Sequence, residues 1–190
     1  MNAGVLYAFG AYFAWGLFPL YFSLLASVNA LEVLAVRVPV SLLCLFAVLG
    51  LRRHWQWLVP ALREPRVMRV FAGSTLAISV NWYVVIWAST HDHIVDAALG
   101  YFINPLVNVL IGYFVLKEPL SRLQLAALLL AGLAVGWLTW HAGSLPWISL
   151  TLAFSFALYG LLRRRAPLGA LEGLTLETLL LTPIALVGLA

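Results

Sequence analysis

The chain has 190 residues, of which 64% are hydrophobic and 9% are charged, with a formal net charge of +4. Soluble domains carry about 25% charged residues, so a deficit spread over the whole length excludes a water-facing globule and predicts a polytopic membrane protein. The single cysteine, Cys44, excludes a disulfide within the chain. The residues up to Leu25 lack a basic n-region and a small-residue cleavage site, which predicts no secretory signal.

Seven apolar runs follow one another: Ala3–Leu25, Leu31–Leu51, Val67–Ala88, Val95–Leu116, Leu120–Trp140, Leu145–Leu162 and Leu174–Ala190. At the helical rise, each of the first five reaches about 30 Å, the thickness of the hydrocarbon core. The sixth is slightly short without its flanks, and the seventh runs into Ala190 with no basic flank. The expected fold is an all-α membrane protein, a bundle of about seven transmembrane helices.

The connections alternate in charge. Arg52, Arg53, Arg63, Arg66 and Arg69 lie in the second, Lys117 and Arg122 in the fourth, and Arg163, Arg164 and Arg165 in the sixth. The first, third and fifth hold no Lys or Arg. The positive-inside rule then puts the even loops and the N-terminus in the cytoplasm, and topology explains the basic charge better than binding of nucleic acid or anionic lipid. Trp55, Trp57, Trp87, Trp140 and Trp147 fall at run ends, as an interfacial belt requires, whereas Trp15 and Trp82 lie deeper.

Two weak self-similarities share nearly one offset. Tyr12-Phe13-Ala14-Trp15-Gly16 matches Phe156-Ala157-Leu158-Tyr159-Gly160, and Leu31-Glu32 matches Leu176-Glu177. An odd number of spans separates the copies, so the second would be inverted, a build in which transporters place their site at the repeat interface.

Polar residues inside the runs are the candidates for function. Tyr101, Asn104 and Asn108 are spaced i, i+3, i+7 on one stripe, and Pro105 frees the Tyr101 carbonyl a turn earlier. The stripe either lines a solute path or cross-links helices. Tyr12, Trp15, Gly16 and Pro19 share a face of the first run, as a ligand wall or an aromatic packing stripe. In the third run Asn81, with Ser79 and Trp82 beside it, is either inter-helix glue or cavity wall. Arg37, the only basic residue inside any run, contacts an anionic ligand, pairs across helices or snorkels outward. The stripe is expected to face Trp15 and Asn81 across a central cavity.

His91, Asp92, His93 and Asp96 suggest a metal site, although capping and solvation at a helix start explain them more simply. Glu118 marks a helix start. No carboxylate stands near the centre of any run, which favours facilitated transport or coupling through an unidentified site over a proton-carrying acid. Gly132 and Gly136 form a small-residue packing face. No HExxH, Walker loop, GxSxG or CxxC pair occurs, so no enzymatic activity and no cofactor are expected.

Ala14-Trp15-Gly16 followed by Pro19 resembles the opening helix of drug/metabolite transporters of the EamA type. Asn81-Trp82 with Trp87-Ala88, the stretch Ala98-Leu99-Gly100-Tyr101-Phe102-Ile103-Asn104-Pro105-Leu106-Val107-Asn108, Gly143-Ser144-Leu145-Pro146 and the stretch from Leu152 to Leu161 resemble the RarD branch. The resemblance implies an inner-membrane permease of ten helices in two inverted five-helix halves that exports or exchanges small metabolites or drugs. It implies a first repeat over 1–142 and the start of a second over 143–190, so the chain is expected to be truncated, a fragment, or a partner needing complementation. RarD-like sequences tend to carry a Lys where Ser23 stands here, a departure that touches any anion contact. Solute-lining residues are then expected at Trp15, Arg37, Asn81, Trp82, Tyr101, Asn104, Asn108 and Tyr159, with no metal. The implied partners are a small-molecule solute, membrane lipid, and a second copy or the missing C-terminal helices, but no nucleic acid. The competing reading is a non-transporting membrane interaction protein or an inactive fragment.

Overall fold

A computed structural model describes residues 3–142 and 145–188. Eight helices run in chain order among the described residues: α1 (Ala3–Ser23), α2 (Ala30–Arg52), α3 (Leu58–Arg63), α4 (Pro65–Thr90), α5 (Ile94–Leu116), α6 (Arg122–Ala142), α7 (Trp147–Arg164) and α8 (Ala170–Val187). The expected repeat boundary at 142/143, the Gly143-Ser144 pair and the end of the seventh run lie outside the described residues.

Local chemistry sets the helix ends. Asn29 caps α2 by accepting the Leu31 N–H at 2.9 Å. Arg53 closes the other end in the left-handed region, φ 49°. Pro65 opens α4 at its first turn, where its missing N–H costs nothing. Between α4 and α5 the chain reverses within three residues. Asp92 takes φ 61°, and the His93 N–H reaches back to the Ala88 carbonyl at 2.8 Å. Helix α6 starts on a capping box: the Ser121 N–H donates to Gln124 Oε1, and the Gln124 N–H to Ser121 Oγ. Glu118, expected at this helix start, instead accepts from Arg164 at 3.1 Å and ties the loop after α5 to the end of α7.

Among the described residues, six helices are long and apolar enough to cross a membrane: α1, α2, α4, α5, α6 and α8. The sixth expected run, carried by α7, is not among them. Ser149, Thr151, Ser155, Arg163 and Arg164 dilute its apolarity. The helix itself is intact and lies at the centre of the packing, between α4 and α5. A helix enclosed by others keeps its polar face away from lipid, so it does not need the greasiness of an outer span.

The core is therefore α4, α5, α7 and α8, with α2 along α8. Val84, Ala88, Ala97, Ile148 and Leu152 knit α4, α5 and α7, and Ile103, Val107, Ala153 and Ala157 continue the α5–α7 seam. Gly100 permits that seam: a Cβ there would stand 2.9 Å from both the Ser149 carbonyl oxygen and the Leu152 Cβ. Ala35, Val38, Leu181 and Ala185 join α2 to α8. By contrast, α6 touches α5 lightly and has no buried residue among those described. Among the described residues of α1, only Phe22, near its end, is buried.

Candidate functional site

Two groups of polar and aromatic side chains stand inside this bundle, joined by one ring. The first begins at α1. Trp15 meets Tyr101 of α5 edge-on, ring centroids 5.7 Å apart, and meets Phe156 of α7 edge-on at 5.8 Å. Tyr12 stacks on Trp15 one turn earlier, at 6.5 Å. Phe22, two turns after Trp15 on the same face of α1, meets Arg37 of α2. The Arg37 guanidinium covers the Trp82 ring of α4 at 4.7 Å and approaches Phe22 at 5.9 Å. Arg37 has no carboxylate partner among the described residues; the aromatic faces take that place. Trp15, Tyr101, Arg37 and Trp82 thus form one aromatic–cationic wall, and Trp15 touches Tyr101 directly instead of across a cavity.

The asparagines are disposed differently. Asn81 is 2% exposed and donates both amide hydrogens to α7, to the Leu152 carbonyl at 3.1 Å and to Ser155 Oγ at 3.0 Å. Its amide is committed to the α4–α7 contact. Asn104 is buried and accepts from Asn108 Nδ2 at 2.5 Å along the same helix, while Asn108 itself is exposed. This single bond links the two amides along α5, and the exposed Asn108 leaves its remaining polar atoms accessible. Ser23, where the resemblance expects a Lys, ends α1 exposed, with its hydroxyl on the Leu20 carbonyl.

Of the second group, only Tyr159 was expected. Phe156, which touches Trp15, also touches Tyr159 at 5.9 Å. The Tyr159 hydroxyl donates to Glu177 Oε2 of α8 at 3.2 Å, and Ser74 of α4 donates to Glu177 Oε1 at 2.7 Å. Arg163, one turn after Tyr159 on α7, brings its Nε to 3.9 Å from the same carboxylate. Its guanidinium lies over Phe71 at 5.2 Å and donates to the Gly169 carbonyl at 2.8 Å. Any side chain at Gly173 would overlap that guanidinium. Glu177 is 1% exposed.

This carboxylate overturns the expectation that no acid stands deep in the chain. The apolar run begins at Leu174, which puts Glu177 near an edge. Helix α8 in fact begins at Ala170, because Glu172 and Gly173 are polar or small yet helical. Glu177 therefore lies about 10 Å inside. The legible signal was the spacing of Tyr159 and Arg163, a donor and a cation on one face of α7.

At the other end of α4, His93 Nδ1 pairs with Asp96 at 2.8 Å, and His91 hydrogen-bonds the Trp87 carbonyl and Thr90. No group of three metal-ligating side chains occurs among the described residues. A pocket of about 300 Å³ lies beside them, lined by Ser27, Asn29, Tyr83, Trp87 and His91 among others.

An all-helical chain with six apolar spans and polar groups turned inward is a multi-pass membrane protein. It belongs to the EamA-like transporter family, whose model matches residues 2–140. Protein RarD of Streptomyces exfoliatus is 49% identical over 95% of this chain and 57% of its own length. The uncharacterized transporter YojE of Bacillus subtilis is 45% identical over 96% of this chain and 62% of its own. The chloramphenicol-sensitive protein RarD of Pseudomonas aeruginosa is 33% identical over 98% of this chain and 64% of its own. The chain thus spans less than two thirds of the length of these relatives. No solved structure matches it.

Proposed function

We propose that this chain forms the substrate-lining part of a drug/metabolite-type secondary transporter in the bacterial inner membrane, with its N-terminus in the cytoplasm. The observation that carries the reading is the wall at mid-bundle, where Trp15, Tyr101, Arg37 and Trp82 come from four different helices. Aromatic faces beside one guanidinium, the only basic group well inside an apolar run, suit a small organic solute that is part aromatic and part polar or anionic. Tyr159 and the Asn104–Asn108 pair border this wall, and Asn81 holds α4 and α7 in place behind it. The alternation of basic loops supports the orientation, because α2, α5 and α7 all end in basic residues, and α4 and α6 begin near them. The bare flank of α1 is the face on which further helices, or a second copy, would complete the solute path.

Chloramphenicol, which appears in the name of one relative, serves as the probe. In proteoliposomes the chain should support saturable flux of labelled chloramphenicol above protein-free vesicles. Trp15→Ala should lower it about fivefold, the loss of one aromatic contact of about 1 kcal/mol. Flux unchanged in Trp15→Ala would remove the wall from the solute path.

A further inference from the structure

We propose that Glu177 is a proton-binding site, holding its negative charge against Arg163 and taking up a proton from the basic end of the bundle. Each part of the site is suited to both protonation states. In the ionised state the carboxylate accepts from Ser74 and Tyr159 and lies beside the Arg163 charge. The Ser74 hydroxyl has a second acceptor in reach, the Phe71 carbonyl at 3.2 Å. When Glu177 is protonated, Ser74 can turn its hydrogen to Phe71 and accept the new carboxyl proton. No backbone movement is needed for that reversal.

Arg163 is the element that would report the change. Its Nε stands at 3.9 Å from the carboxylate, longer than a hydrogen bond, and its Nη1 has no acceptor. The ion pair is therefore held by charge more than by hydrogen-bond geometry. Once a proton neutralises Glu177, the guanidinium retains the Gly169 carbonyl and the Phe71 ring. Its own charge is then uncompensated, and its side chain, 16% exposed, lies one residue from the end of α7. The proton arrives from solvent at that end, binds a carboxylate oxygen, and leaves the positive charge on Arg163 free to move outward.

The neighbouring groups do not supply a substitute charge. From α7 only Tyr159 and Arg163 face the carboxylate, and from α4 only Ser74. On α2, which packs along α8, Arg37 is turned onto Trp82 and Phe22, and among the described residues Glu32, Cys44 and Arg52 form no ion pair with the site. Glu172 on α8 is engaged by His54 at 2.9 Å. The site is coupled to the wall, because Phe156 touches both Trp15 and Tyr159. A shift of Tyr159 on protonation therefore reaches the solute-facing rings through one side chain.

A role in driving flux rests on the transport reading above, but proton binding does not, so the test uses no solute. The full chain carrying ¹³C-labelled glutamate is placed in lipid nanodiscs, and the infrared band of protonated carboxyl is followed through a pH titration. We expect a buried, isotope-shifted band that disappears in Glu177→Gln. Arg163→Gln should raise its midpoint by roughly one pH unit or more, and Tyr159→Phe by less, since each removes support for the ionised form. A band that persists in Glu177→Gln overturns the proposal. So do unchanged midpoints in both Arg163→Gln and Tyr159→Phe, which decide the matter even where Glu177→Gln does not fold. Titration without chloramphenicol flux would leave the proton site standing and overturn the transport reading; flux without titration would do the reverse.

Discussion

The α4–α7 seam and the α1 wall both carry polar and aromatic groups at mid-bundle, yet they differ in how those groups are used. At the seam, Asn81 and Ser155 are buried with every donor directed at a neighbour on a facing or shared helix. At the wall, Trp15 is 38% exposed, and Arg37 rests on rings in place of a counter-charge. A polar residue in an apolar span is therefore not in itself a sign of a site. Its satisfaction decides: a fully bonded amide staples helices, whereas partly exposed rings beside a lone cation remain available to a solute.

The sharpest way to break the seam is Gly100→Ala. Its Cβ would meet the backbone of Ser149, so α5 and α7 must separate, at a cost of about 1–3 kcal/mol, read as a lower unfolding midpoint in denaturant titration. Asn81→Ala should cost less, about 0.6–2 kcal/mol, in the same measurement, because the Leu152 carbonyl keeps the Ser155 hydroxyl as a donor. Tyr101→Phe should change unfolding by under about 0.5 kcal/mol, since the edge contact with Trp15 survives, while chloramphenicol flux falls. A Tyr101→Phe variant with full flux and lost stability would merge the two regions into one structural core. The smallest effect is expected for Glu118→Gln. It removes an exposed ion pair with Arg164 and should leave both unfolding and flux unchanged at moderate salt.

Much of this was legible from hydropathy and charge. Run lengths gave the spans of α1, α2, α4, α5 and α6 to within a few residues, since lipid demands continuous apolar helix. The deep positions of Trp15 and Trp82 drew attention for the same reason, and both stand in the wall. What the pattern could not give was rotation. Asn81 and Trp82 are adjacent in sequence, yet one turns into α7 and the other under Arg37, a choice made by neighbouring helices. Glu177 escaped because hydropathy marks apolar stretches, not helices: α8 starts four residues before its apolar run does. For the same reason α7 scored as a marginal span while it holds the bundle together.

That marginal apolarity bears on how the chain is made. An isolated helix with the polar side chains of α7 partitions poorly from the insertion machinery into lipid. Its polar face is matched by α4 and α5, which are synthesised before it. Insertion of α7 then depends on those two helices already waiting in the bilayer, with Asn81 and the notch at Gly100 ready to receive it. A substitution at the notch would be felt during biogenesis, as a failure to integrate, before it was felt in the finished fold.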